Sequence, residues 1–117
     1  PVSSTPIQIG LTHAGVPDSA IEVVVYAKIC TGRIPVSAAQ EGYLFVRLLN
    51  TNSTIQDERN LYYKIFNQQA WSYNSENMIF PVISGLSETV EAGLNGPTDQ
   101  RIRGTIQIIG FYTVHCV

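Results

Sequence analysis

Residues 21–29 read IEVVVYAKI, nine positions without a glycine, proline or asparagine. In an extended chain Ile21, Val23, Val25, Ala27 and Ile29 fall on one face, and Glu22, Val24, Tyr26 and Lys28 on the other. A period of two built from β-branched residues is a strand with one face buried, so only the second face meets water. The closing stretch, Arg101 to Val114, alternates in the same way. It sets Ile102, Ile106, Ile108, Tyr112 and Val114 against Arg103, Thr105, Gln107, Ile109, Phe111 and Thr113. Gly104 and Gly110 mark bulges or close backbone approaches in it. Its length places it at the centre of a sheet, paired on both sides.

The remaining segments follow the same period. Ile7, Ile9 and Leu11 form a first strand, which Gly15 and Pro17 end. Gly32 to Gln40 reads as a connection. In Tyr43 to Asn50, Leu44, Val46 and Leu48 oppose Tyr43, Phe45, Arg47 and Leu49, so both faces are largely covered. Thr51 to Asn60 is the most polar stretch and is expected to be an exposed loop with at most one helical turn. Leu61 to Phe66 is a strand, Trp71 to Tyr73 a short one, and Asn74 to Glu76 a turn. Met78, Phe80 and Val82 share a face of a strand that contains Pro81. Proline gives nothing to a ladder, so this strand lies at an edge or carries a bulge. Thr89 to Ala92 is a short strand, and Gly93 to Asp99 a second long loop.

Isoleucine (13), valine (11) and threonine (9) make up 33 of 117 residues, against 7 lysines and arginines and 9 acids. Helical surfaces consume lysine and glutamate, and disordered chains lack this apolar content, so both alternatives fit poorly. Seven or eight short strands without a helix of ten residues predict an all-β fold. It is a single-domain antiparallel β-sandwich over 1–117, jelly-roll-like in its arrangement. A net charge of −2 supplies no footprint for phosphate backbones or anionic lipid, so neither nucleic acid nor membrane is an expected partner. No apolar run of about 18 residues predicts a spanning helix, and the first twenty residues lack the pattern of a signal peptide.

Catalytic chemistry finds few residues to work with. His13 and His115 are the only imidazoles, and His115 next to Cys116 points to the opposite side of a strand. Glu88 and Glu91, three apart on a strand, also diverge, which spoils a glycosidase pair. Gly93-x-x-Gly96 lacks the lysine and helix of a phosphate cradle. Neither an enzyme nor a cofactor is expected. The cysteines and histidines form no zinc pattern. Calcium would have to draw on Asp57 and Glu58 in one loop and Asn95 and Asp99 in the other, so no metal is assigned. A Cys30–Cys116 disulfide would tie the last strand to an early one and contribute roughly 4 kcal/mol; two buried thiols are the alternative. Asn52, Ser53 and Thr54 form a glycosylation sequon in a loop.

The most suggestive cluster for binding is Tyr62, Tyr63, Trp71 and Tyr73, interleaved with amides that include Gln69 and Asn74. Flat aromatics beside amides suit sugar rings, and the same mixture suits adaptable protein interfaces or a sandwich core. The charged fraction of 14% falls below the roughly 25% usual for soluble proteins, which points to surface held against other subunits. By fold analogy, charge-poor β domains with long loops look like modules of virus and phage particles, such as capsid decoration proteins and tail-fibre tips. The expected function is a non-enzymatic structural or attachment module that assembles with copies of itself. Loops 51–60 and 93–100 would be its contact surfaces. Other virion proteins or cell-surface glycan are further partners, and the virion or an extracellular surface the expected location. The alternative is a carbohydrate-binding lectin centred on Trp71.

Overall fold

The computed structural model describes residues 3–32, 40–65, 72–97 and 101–114. They form seven strands and no helix: β1 (Ile7–Gly10), β2 (Ala20–Thr31), β3 (Gln40–Asn50), β4 (Ile55–Ile65), β5 (Ser72–Pro81), β6 (Ser87–Asn95) and β7 (Ile102–Thr113). Two antiparallel sheets stack face to face. One has the order β1-β6-β3-β4, the other β5-β2-β7. The expected all-β sandwich is therefore the fold. It is an elongated slab of 55 × 31 × 19 Å.

The alternation read in β2 fixes which side is core. Val23, Val25, Ala27 and Ile29 are fully buried, facing Leu44, Val46 and Leu48 of β3 and Val90 and Ala92 of β6 across the sandwich. Burying such β-branched and leucine side chains stabilises by about 1.5–3 kcal/mol each, which drives the two sheets together. Met78 and Phe80 face the same core from β5, as their spacing predicts. Among the described residues β5 pairs with β2 alone, so Pro81 does lie on an edge strand.

Both faces of β3 are covered, as expected, but the chain itself supplies the outer cover. Phe45 lies outward over Gly93 of β6, where an added Cβ would stand only 2.5 Å from the ring. The Arg47 guanidinium caps the ring at 4.1 Å. Arg47 in turn pairs with Glu58 of β4 (3.1 Å) and Glu91 of β6 (3.5 Å), and Gln8 of β1 donates to Glu91 at 2.9 Å. This polar row crosses all four strands and keeps the outer face of their sheet a water-facing one.

Four expectations are corrected. The segment 51–60 is not a loop: the turn is confined to 51–54, where Asn50 Oδ1 accepts from the Asn52 and Thr54 amides, and β4 starts at Ile55. Asn74 to Glu76 is no turn but the middle of β5, paired with Ile29, Lys28 and Ala27. Gly93, Leu94 and Asn95 likewise belong to β6. Polarity misleads in the first two because β4 and β5 are edge strands, which carry charge and amide groups on their open sides. Gly93 is required as the seat of Phe45.

The fourth correction concerns β7. It pairs with β2 alone among the described residues and so forms an edge, not a centre. Its face assignment also changes. Val25 is opposite Ile108 and Val24 opposite Gly110, so Ile109 is an extra, bulged residue. Beyond it Phe111 comes opposite buried Val23, while Tyr112 comes opposite Glu22 on the outer face, 54% exposed. The bulge expected near Gly110 is present, and it moves Tyr112 off the face shared by Ile106 and Ile108.

Candidate functional site

The slab has two chemically distinct ends. At one, β4 and β5 meet along the seam between the sheets, and Asn74 Nδ2 donates to the Tyr62 carbonyl at 3.0 Å, joining the two edges. Tyr62 and Tyr73 stand out from the seam, 63% and 70% exposed. Between them runs a groove of about 250 Å³ lined also by Thr31, Lys64 and Asn74. It continues into a second hollow of about 340 Å³ bordered by Glu41 and Lys64, which pair at 3.3 Å.

The strand register explains this gathering. Tyr43 is opposite Tyr62, their rings 5.6 Å apart at 58°, and Glu41 is opposite Lys64. Asn95 Nδ2 donates to the Tyr43 hydroxyl at 2.8 Å, bracing the pair from β6. On the other sheet the Lys28 ammonium lies 4.8 Å from the centroid of the Tyr73 ring, a cation–π contact that holds the ring upright. The groove thus offers two open aromatic faces with hydroxyls, an amide and both signs of charge. Such a set holds a polar ligand with apolar faces.

Tyr62, Tyr73 and Asn74 are thus brought together. Tyr63 is not an open platform: it is 6% exposed and belongs to the core. Its hydroxyl donates to the Pro97 carbonyl at 2.8 Å, in a niche where a Cβ on Gly42 would stand 2.5 Å from the oxygen. Burial raises the Tyr63 pKa above its ordinary value of 10.0. Gln69 and Trp71 lie outside the described residues. Tyr43, Lys28 and Glu41 were missed, because only the register brings them beside Tyr62 and Tyr73.

At the opposite end the surface is apolar. Ten large apolar or aromatic side chains are exposed among the described residues, and besides Ile55 at the start of β4 seven of them sit here: Ile21, Ile79, Ile83, Ile109, Phe111, Tyr112 and Val114. They come from the start of β2, the end of β5 with its following turn, and the end of β7, which the register sets side by side.

The other candidate groups stay apart. Cys30 is a half-buried free thiol at the tyrosine end, whereas His13 follows β1 at the apolar end. Cys116 and His115 lie outside the described residues, as does Asp99. Asp57 is opposite Leu48 and Asn95 opposite Tyr43, so five positions of β3, about 17 Å, separate the oxygens that calcium would have to draw on. Among the described residues no cluster of three metal-ligating side chains exists. Asn52 of the sequon is exposed in the β3–β4 turn. No protein-family model matches this sequence, and no curated protein matches it significantly.

Proposed function

We propose that this protein is a non-enzymatic structural or attachment module that assembles with copies of itself, of the general kind that builds virus and phage particles. The observation that carries the reading is the apolar end, where Ile79, Ile109, Phe111, Tyr112 and Val114 crowd one tip of a sandwich whose net charge is only −2. Contiguous apolar surface on a charge-poor domain marks a contact site. The outer face of the four-stranded sheet, crossed by the Gln8–Glu91–Arg47–Glu58 row, is the side left to water. Sedimentation velocity over a wide concentration range tests the reading. The expected result is a discrete oligomer that dissociates on dilution; a monomer at every concentration up to the millimolar range rejects it.

A second reading, glycan binding, is favoured by one specific feature, the groove between exposed Tyr62 and Tyr73. On a glycan array, Tyr62→Ala and Tyr73→Ala are each expected to abolish any binding that the intact protein shows. Retention of that binding by both variants excludes the groove.

A further inference from the structure

On the outer face of the four-stranded sheet the cations have carboxylates beside them: Arg47 meets Glu58 and Glu91, and Lys64 meets Glu41. The outer face of the three-stranded sheet is built differently. Its cations are Lys28 of β2 and Arg103 of β7, and among the described residues neither makes an ion pair. Lys28 rests against the Tyr73 ring instead, and Arg103 is exposed. The carboxylate that β2 turns to this face, Glu22, lies six positions from Lys28, about 20 Å along the strand.

The register arranges these groups as a trough. Cys30 is opposite Tyr73 on one side and Arg103 on the other. Its short, half-buried side chain is the floor, and the exposed Tyr73 and Arg103 are walls two strand spacings, about 10 Å, apart. Lys28 lies on the next outward rung, between Ser75 and Thr105. Two cations without counter-ions, on a chain of net charge −2, leave the acid group to be supplied by a ligand. Tyr73 offers a flat apolar surface to a sugar ring, and the hydroxyls of Ser75 and Thr105 match those of the sugar. Resting on the glycan reading above, we infer that this face binds an acidic glycan, one sugar ring against Tyr73 and its acid group held by Arg103 and Lys28. The guanidinium fork grips a carboxylate through two parallel bonds, which an ammonium alone cannot do.

The test compares the intact protein with Arg103→Gln on an array of sialylated, uronic-acid, sulfated and neutral oligosaccharides, with a DNA oligonucleotide as a sugar-independent polyanion. Arg103→Gln removes a charge and leaves the Lys28–Tyr73 contact in place. The parent is expected to prefer acidic glycans, with the sialylated and uronic arms separating carboxylate from sulfate recognition. The variant is expected to bind them at least about tenfold more weakly, with neutral glycans unaffected and thermal melting unchanged. Acidic glycans retained in full by the variant overturn the site. Neutral glycans held as tightly as acidic ones by the parent also overturn it and leave the glycan reading of the groove standing. Equal binding to the oligonucleotide rejects a sugar site on this face. A parent that binds no glycan overturns both. Should Arg103→Gln fail to fold, Thr105→Glu, which sets a carboxylate opposite Lys28 at an exposed position, takes its place with the same expectations.

Discussion

Gly93→Ala tests the packing of Phe45 and carries a sign that can be reversed. The new Cβ would stand 2.5 Å from Phe45 Cζ and 2.8 Å from Cε2, well inside the 3.5–4.0 Å optimum for carbon pairs. The ring cannot simply lift away, because Arg47 caps it at 4.1 Å and is itself held by Glu58 and Glu91. Overpacking of this kind costs about 1–3 kcal/mol. Gly93 is not among the glycines with positive φ, so alanine meets no backbone strain there and regains about 0.5–1 kcal/mol by stiffening the unfolded chain. In a Phe45→Leu background the two clashing atoms are gone, and the same Gly93→Ala change is expected to be neutral or stabilising. Urea melts of the four proteins close the cycle, with an expected coupling of about 2 kcal/mol, or roughly 8 °C in Tm. Equal effects of Gly93→Ala in both backgrounds would refute the stacked arrangement.

Two further outcomes follow from buried groups and from register. Tyr63→Phe is expected to lose about 1 kcal/mol at neutral pH, the worth of its hydrogen bond to Pro97. Because burial raises the Tyr63 pKa, its neutral form is favoured by folding; stability is full below about pH 10 and falls as the pH rises through the folded pKa. Alkaline denaturation should therefore be shallower in the phenylalanine variant, and identical slopes above pH 10 would contradict the buried hydroxyl. An intramolecular Cys30–Cys116 bridge is not expected: Thr113 is opposite Ala20, ten positions or about 33 Å along β2 from Cys30. Three residues beyond Thr113 span about 11 Å at most, and a disulfide needs Cα atoms within about 7 Å. Titration of the denatured protein after oxidative handling at low concentration should return two thiols per chain.

The sandwich was legible because β2 and β3 hold strict alternation around a buried face, and Pro81 signalled its edge in advance. What the alternation could not convey was pairing. Asp57, Glu58 and Arg59 have the composition of a loop, yet they sit in β4, which tolerates it because among the described residues that strand has a neighbour on one side only. For the same reason Asn74 and Glu76 resemble a turn. Gly93 resembles a loop glycine until Phe45 is placed on it. Of the binding cluster, adjacency in sequence found Tyr62, Tyr73 and Asn74 but could not separate exposed Tyr62 from buried Tyr63, which point to opposite faces of one strand. Tyr43, nineteen positions from Tyr62, joined them only through the β3–β4 register.

The extra residue at Ile109 works like a frameshift in a message read two letters at a time. Substitutions along β7 alter single words, whereas deleting Ile109 would exchange every reading downstream, placing Tyr112 on the inner face of its sheet and Phe111 on the outer one. The length of this segment, more than its composition, decides which face of the sheet each aromatic ring occupies.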